Sequence, residues 1–190
     1  MLSAELINEQ SYWISVFEPL PHEREDLINK YEVTKELLDY AIDPYEKARV
    51  EVDRDAGVTL LIFDVYVPTH EVSAPQTAPI GIMLTANNVL TFTNAQTNFV
   101  NGILAKQLKT MKKRGPVNDR FDFILPTLYK LSTSYFGPIR RADQQRLQIQ
   151  RNLQNHTERK AITEFMEIET GLVYILTSLK GNVSLLEEFK

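Results

Sequence analysis

The sequence predicts an α/β (α+β) protein with three layers, α/β/α, in which a mixed central sheet lies between helices and a long projecting helical hairpin follows. Three observations predict this fold class. An almost continuously apolar run from Val58 to Val67, rich in β-branched and aromatic residues, lies between Gly57 and Pro68 and is typical of a buried strand. Shorter segments with strand character lie on both sides of this run. Helical patterns occur before and after it, and a strand that is buried on both faces needs such cover.

Four further segments are predicted as strands. Residues 49–53 alternate charged and apolar residues, as a half-buried strand does, and lead into the central run through a short turn. Residues 12–17 form an apolar segment with two aromatic residues at its start and one at its end. Residues 80–85 and 88–93 are separated by two residues, and this spacing predicts a hairpin.

Three helices are predicted among these strands. The first covers residues 21–30, where acidic side chains crowd the first turn. The second follows Thr34, a suitable N-cap, and closes at Asp43 because the residue before a proline disfavours helical geometry. The third begins at residues 93–94 and ends at Arg114, where basic residues precede Gly115-Pro116.

The region after residue 117 is predicted to be helical throughout. An apolar stripe runs from Phe121 to Tyr135, and Pro126 should kink that helix. The helix continues past Phe136 into a much more polar stretch, which predicts that it leaves the globular body. Residues 157–186 then form a return helix.

These elements predict one domain with two parts. The α/β sheet portion covers residues 1–116, and a long helical hairpin over residues 117–190 packs on it. A chain of 190 residues is long enough for one such core.

Composition excludes several classes of protein. The chain has no cysteine, which excludes a disulfide scaffold, a thiolate nucleophile and a Cys-ligated zinc site. We expect a soluble chain, because the sequence has neither a signal peptide nor the roughly 18–20 consecutive apolar residues of a membrane helix. The net charge of −4 argues against nucleic acid as a partner.

The charges are unevenly distributed along the chain. The first 56 positions hold fourteen of the 25 acidic residues but only six of the 21 basic ones. This distribution indicates solvated faces of different helices. The alternative interpretation is that acidic and basic faces meet between subunits.

No catalytic motif stands out, and the chain is predicted not to be an enzyme. The sequence contains no P-loop, no glycine-rich dinucleotide turn, no His-Glu-x-x-His and no Gly-x-Ser-x-Gly. The three histidines, His22, His70 and His156, are far apart in sequence. We expect them at surface or loop positions rather than in a metal site.

One group of residues could bind a metal ion. Five carboxylates lie within sixteen positions: Glu36, Asp39, Asp43, Glu46 and Glu51. On a helix, Asp39 shares a face with residues three and four positions away. Carboxylate oxygens suit Mg²⁺ or Ca²⁺, and Mg²⁺ keeps several waters while it contacts one or two carboxylates. The alternative is an ordinary acidic helix face.

The order of short motifs carries a family resemblance. A Tyr-Trp-Ile-Ser-Val-Phe strand precedes a helix with Leu37-Leu38-Asp39 and then Ala48-Arg49-Val50-Glu51. The apolar strand, the Ile-Met-Leu-Thr/Asn-Asn-Val-Leu-Thr-Phe-Thr hairpin and a helical region with Ser134-Tyr135-Phe136 follow. From about Tyr12 to Leu186 the chain resembles the cytoplasmic N-terminal domain of the CorA family of magnesium transporters.

The resemblance implies a function in ion transport. Such a domain forms a homopentamer on the cytoplasmic side of the cell membrane, and a stalk helix and two membrane helices follow it, the first ending in Gly-Met-Asn. Divalent ions, Mg²⁺ above all, bind between neighbouring domains and hold the pore shut; related members move other cations such as zinc or cobalt. Asp39 matches the family aspartate of this regulatory metal site, and Asp43 is its neighbour on the same face.

The chain also departs from the family pattern. It has neither membrane helix nor Gly-Met-Asn and stops before the stalk, so we expect a regulatory domain cut off before its pore. The projecting hairpin, which is often acidic in relatives, is basic here. The first alternative is a stand-alone cytosolic interaction module with no transport role, and a small hydrolase or transferase with an unrecognised site is the second.

Overall fold

The computed structural model describes residues 1–31, 33–68, 75–155 and 159–189, and of residues 152–155, 159 and 160 it describes the backbone only. Within these ranges the chain forms six strands and six helices. In chain order they are β1 (Leu2–Asn8), β2 (Ser11–Phe17), α1 (Pro21–Tyr31), α2 (Lys35–Ile42), β3 (Arg49–Asp53), β4 (Val58–Val67), β5 (Gln76–Leu84), β6 (Asn88–Thr93), α3 (Phe99–Arg114), α4 (Arg120–Thr133), α5 (Phe136–Asn155) and α6 (Arg159–Glu188).

The six strands form one mixed sheet in the order β1-β2-β6-β5-β4-β3. Strands β2 and β6 are parallel, and the other neighbouring pairs are antiparallel. The predicted central strand is β4, which pairs with β5 over nine positions. Its middle residues, Leu60 to Phe63, are at most 1% exposed. The prediction of a mixed sheet around this apolar run is confirmed.

Helices cover both faces of the sheet. On one face, Leu27 of α1 and Leu38 of α2 pack against alternate residues of β4 such as Leu60. On the other face, Leu104 of α3 and Phe123 of α4 pack with the remaining set, such as Phe63. Because successive strand side chains point to opposite faces, the continuous apolar run supplies both cores. The predicted three-layer arrangement is confirmed.

Helix α2 lies unusually close to β5. A Cβ atom at Gly81 would lie 2.6 Å from the carbonyl oxygen of Ala41, a distance that real Cβ contacts do not reach. Glycine is therefore the residue that allows the helix to approach the strand this closely. This contact fixes the position of α2 over the sheet.

Helix α6 covers the part of β4 that β3 leaves unpaired. The pairing of β3 with β4 begins at Arg49, opposite Ile62, so Asp64 has no strand residue on that side. The side-chain amide of Asn182 takes this position: its Nδ2 donates to the Asp64 carbonyl at 2.8 Å, and its Oδ1 accepts from the Asp64 N–H at 2.9 Å. An antiparallel strand residue directs both groups to one side, so one amide replaces a strand neighbour.

Two faces of α6 carry different side chains. The buried face recurs every three or four residues and comprises Ala161, Ile168, Gly171, Ile175, Ser178, Asn182 and Leu185. The outer face carries large apolar residues with the same spacing, namely Ile162, Met166, Val173, Leu176 and Val183, which are 45–60% exposed. The first half of α6 also packs against α5, through Ala142 and Ile149, so the predicted helical hairpin is confirmed.

Some predicted boundaries are wrong. Strand β1 was not predicted, because its residues are mostly exposed and carry no clear alternation. Helix α3 begins at Phe99 rather than at residues 93–94. The Asn94 carboxamide accepts hydrogen bonds from the N–H groups of Gln96 and Thr97 and closes a turn there instead.

The long helix that was predicted from residue 118 is divided into two. Ser134 and Tyr135 form a turn between α4 and α5. Pro138 lies in the first turn of α5, where its missing N–H leaves the Ser134 carbonyl without the donor of a continuous helix. Pro126 lies inside α4 as predicted. The division of the chain at residues 116 and 117 stays a prediction.

Candidate metal site

Helix α2 carries Asp39, the first of the predicted metal ligands. The helix begins as expected, since the Thr34 hydroxyl accepts a hydrogen bond from the Leu37 N–H at 3.4 Å. Leu37 and Leu38 are buried against the sheet, whereas Asp39 is exposed. Because Gly81 lets α2 lie directly on β5, the carboxylate of Asp39 projects from a backbone whose position is fixed.

Asp39 and Asp43 have different surroundings. No hydrogen bond or ion pair joins Asp39 to any other residue in the part of the chain that the structure describes. Asp43 ends the helix, and its Oδ1 accepts from the Tyr45 N–H at 2.8 Å. Asp43 also lines a cavity of about 180 Å³ together with Glu18 and Arg24. Asp39 therefore keeps its full capacity to accept, while half of the Asp43 carboxylate caps a turn.

The chain's own groups occupy the other three predicted carboxylates. The Tyr40 hydroxyl donates to Glu36 Oε1 at 2.8 Å. Arg49 donates from Nε to Glu51 Oε1 at 2.8 Å and from Nη1 to Glu46, and its guanidinium lies 4.7 Å from the centre of the Tyr40 ring. These residues form a connected network of bound acids beside α2. The sequence brought five carboxylates together, but only two of them are available to a cation.

The electrostatics of this network agree with its bonding. Partial burial of the Glu46 carboxyl is outweighed by hydrogen bonds from the Lys47 N–H and Arg49, so the pKa of Glu46 lies below its ordinary value. Arg49 is likewise partly buried, yet its bonds to Glu46 and Glu51 raise the pKa of its guanidinium. Three charged groups that stabilise one another in this way do not attract a further cation.

A complete metal site does not form within one copy of the described chain. Among the residues that the structure describes, no three His, Asp or Glu side chains come together in a way that could hold a metal ion. His22 is exposed on α1, and His70 and His156 lie outside the described residues. The donor set nevertheless fits Mg²⁺ in one respect, because an exposed carboxylate oxygen is the hard ligand that a largely hydrated Mg²⁺ contacts.

Sequence reasoning missed a buried polar cluster around Asp64. Besides the two bonds from Asn182, the Asp64 carbonyl accepts a hydrogen bond from the Tyr135 hydroxyl at 3.0 Å. Ser178, on the same face of α6, donates to the Thr77 hydroxyl at 2.8 Å. The one signal in the sequence was a single charged residue, Asp64, in the middle of the apolar run of β4.

Solved structures with the same architecture define the class of this fold. The soluble domain of CorA from Methanocaldococcus jannaschii superposes with a TM-score of 0.75 at 22% identity, over 93% of this chain and 69% of that one. The complete CorA magnesium transporter from the same organism gives 0.77 at 23% identity, over 95% of this chain and 55% of that one. The cytoplasmic domain of ZntB from Vibrio parahaemolyticus gives 0.71 at 10% identity, over 97% and 72%. The fold is thus that of the soluble domains of such transporters.

A family model identifies the family. The model of the CorA-like Mg²⁺ transporter proteins matches residues 8–190, and the chain belongs to this family. No curated protein matches the sequence. The chain spans 55% of the length of the complete transporter structure. Across the described ranges, no helix has both the length and the apolar character needed to cross a bilayer.

Proposed function

We propose that this chain is the cytoplasmic regulatory domain of a CorA-like transporter for Mg²⁺ or another divalent cation, and that it senses the cation at interfaces between subunits. The observation that carries this proposal is the state of Asp39. It is an exposed carboxylate on a rigidly seated helix, and its neighbours Glu36, Glu46 and Glu51 are already bound to other groups. Family membership supports a transporter and not an enzyme.

Assembly with further copies is part of the proposal. The outer face of α6 exposes five large apolar residues with alternating spacings of three and four, or with one position skipped, over some 20 residues. Such a row is the pattern that packs against another helix, and exposed apolar surface of this extent indicates an interaction site. A homopentamer in the full-length protein, with the membrane helices outside the present sequence, would supply such a contact.

The proposed mechanism is a two-state linkage. A cation held between Asp39 of one copy and an acidic residue of its neighbour offsets the repulsion between the two carboxylates. Since the cation binds the closed assembly better than the open one, it shifts the population toward the closed state by that difference in affinity. Loss of the ion at low intracellular Mg²⁺ then releases the subunits. Asp43, one turn further on, is the second candidate ligand.

The test uses the full-length protein in membranes. Asp39→Asn keeps the shape of the side chain but removes its charge, so the Mg²⁺ concentration that protects the assembly from proteolysis is expected to rise about tenfold, which corresponds to about 1.4 kcal/mol. Glu36→Gln is the matched control, because it removes another exposed acid of α2 whose oxygen already accepts from Tyr40. Asp43→Asn measures the second candidate.

Two results would contradict the proposal. One is an unchanged Mg²⁺ midpoint in Asp39→Asn. The other is an equal shift in Glu36→Gln, which would mean that the helix acts through its general charge. A full-length chain without membrane helices would instead favour the stand-alone interaction module.

A further inference from the structure

One buried ionisable group lies outside the candidate metal site. Asp64 is half-buried in the middle of β4, and both of its main-chain polar groups are held by side chains instead of a strand. Asn182 of α6 is 3% exposed and holds the N–H and the carbonyl. Tyr135, 1% exposed at the junction of α4 and α5, donates to the same carbonyl. Residue 64 is therefore the point at which the sheet, α6 and the α4–α5 junction meet.

The Asp64 carboxyl group has no cation beside it. Within the described ranges no Lys or Arg forms an ion pair with it. The guanidinium of Arg141, on α5, donates to the Tyr66 hydroxyl at 3.4 Å instead. The groups that face the carboxyl are neutral: the Tyr135 phenol from the α4–α5 junction, and the Ser178 hydroxyl from α6. A charge at this place would be stabilised by one hydroxyl group.

We propose that the Asp64 carboxyl group is a proton-dependent latch that sets how firmly α6 is held against the sheet. The latch lies within a single copy of the chain. It does not depend on the cation site at Asp39, on the other side of β5, or on assembly with other copies.

The hydrogen bonds of this cluster can be completed in either protonation state. When Asp64 is protonated, its O–H donates to Ser178 and the Ser178 hydroxyl donates to Thr77, the direction in which the 2.8 Å bond is found. When Asp64 is ionised, Ser178 must donate to the carboxylate, and Thr77 must turn its own O–H toward Ser178. The bonds are equal in number, so the difference between the states is the buried negative charge.

That charge disfavours the seated helix. Burial raises the pKa of the Asp64 carboxyl, although the hydrogen bond from Ser178 partly opposes the shift. The charge of Asp64, together with burial, also raises the pKa of the Tyr135 hydroxyl, which keeps that donor neutral. A raised pKa in the folded state means that the proton stabilises it. This stability is complete below the ordinary Asp value of about 3.9 and is lost as the pH rises through the raised value.

The test measures the latch in the 190-residue protein. The side-chain carboxyl carbon of Asp64 is titrated by NMR between pH 3 and 8, and a midpoint above about 3.9 is expected. Hydrogen exchange of the α6 amides at residues 175–185, corrected for the intrinsic pH dependence of exchange, is followed over the same range. Protection should fall with the same midpoint, by about tenfold for each pKa unit of the shift.

Asp64→Asn is the critical variant, since it keeps the shape of the protonated carboxyl and a donor for Ser178. Its α6 protection should match that of the unmodified protein at low pH and exceed it at pH 7.5. Asp39→Asn, an exposed acid on the other side of β5, is the control and should show the unmodified profile.

Three results would overturn the proposal. They are an ordinary midpoint for the Asp64 carboxyl, α6 protection that does not follow the measured midpoint, and a pH profile that survives in Asp64→Asn. The carbon titration needs no variant, so the proposal stays falsifiable even if Asp64→Asn fails to fold. A negative result here leaves the Mg²⁺ proposal intact, because that one is read from a different residue and a different assay.

Discussion

The two faces of α6 reverse the arrangement of a typical amphipathic helix. The face against the sheet includes Gly171, Ser178 and Asn182, which are small or polar. The face toward solvent exposes Met166, Val173 and other large apolar residues. In most surface helices the apolar stripe faces the core. The inner face of α6 is instead specified by close approach and by hydrogen bonds.

This difference separates two kinds of contact. The inner contact is complete within one copy of the chain, because every polar group of Asn182 that faces β4 has a partner there. The outer face has no such complement in the described chain. The inner face therefore determines the stability of the single chain, and the outer face is expected to determine assembly. The following predictions test this division of roles.

The largest effect is expected at Asn182. Asn182→Leu removes both hydrogen bonds to the Asp64 main chain and leaves a buried N–H unsatisfied, so the free energy of unfolding should fall by about 3 kcal/mol. Chemical denaturation measures the loss. Ser184→Leu, an exposed position on the same helix, is the control. A loss below about 1 kcal/mol in Asn182→Leu would show that the amide does not replace a strand neighbour.

A smaller loss is expected from Gly171→Ala. The added Cβ would lie 2.3 Å from Cδ of Pro75, so α6 must shift away from the segment that leads into β5. We expect a loss of about 2 kcal/mol in the free energy of unfolding. Gly102→Ala, in α3, is the matched control because no atom lies within 4 Å of its added Cβ, and it should stabilise the protein by about 0.5–1 kcal/mol. Equal effects at the two glycines would refute close packing at Gly171.

Tyr135→Phe should cost less again. The change removes the hydroxyl that donates to the Asp64 carbonyl at 3.0 Å and retains the aromatic packing against Tyr66. Because Asn182 still donates to that carbonyl, the expected loss is about 1 kcal/mol. In Asn182→Leu the same change should cost more, since the carbonyl then loses its last donor. Strict additivity in this double-mutant cycle would argue against a shared acceptor.

The smallest effect on the single chain is expected on the outer face. The double change Val173→Ser and Leu176→Ser should alter the free energy of unfolding by less than about 0.5 kcal/mol, since both side chains are more than half exposed. In the full-length protein it should weaken assembly, as measured by sedimentation or native mass spectrometry. If it destabilises the isolated chain by several kcal/mol and leaves assembly unchanged, the roles of the two faces are reversed.

The fold was predictable where side-chain pattern and backbone geometry agree. The apolar run of β4 and the hairpin of β5 and β6 announce buried strands, and Thr34 and Gly115 mark the ends of helices with their own capping chemistry. Strand β1 was not predictable, because it is an edge strand whose first five residues are exposed. The inner face of α6 was hidden for the opposite reason: an amide and a glycine look like solvent-facing positions until the strand beside them is known.

The candidate site was predictable only in part. Sequence spacing placed Asp39 on the outside of α2 correctly, since Leu37 and Leu38 define the inner face. The spacing could not show that Arg49, from the following strand, would neutralise Glu46 and Glu51. Nor could it show that Asp43 turns back to cap its own loop. Both outcomes depend on where the chain travels after the helix, which local periodicity does not encode.

The exposed edge of the sheet at β1 influences how copies of this domain can meet. The ammonium group of Lys112, at the end of α3, donates to the main-chain carbonyl of Leu6, and the register with β2 shifts between Leu6 and Asn8. A charged side chain and an irregular register make this edge a poor template for another strand. Continuation of the sheet from one molecule into the next, the route to fibrous aggregates, is thereby discouraged at this end. Contact between copies is left to the helical surfaces.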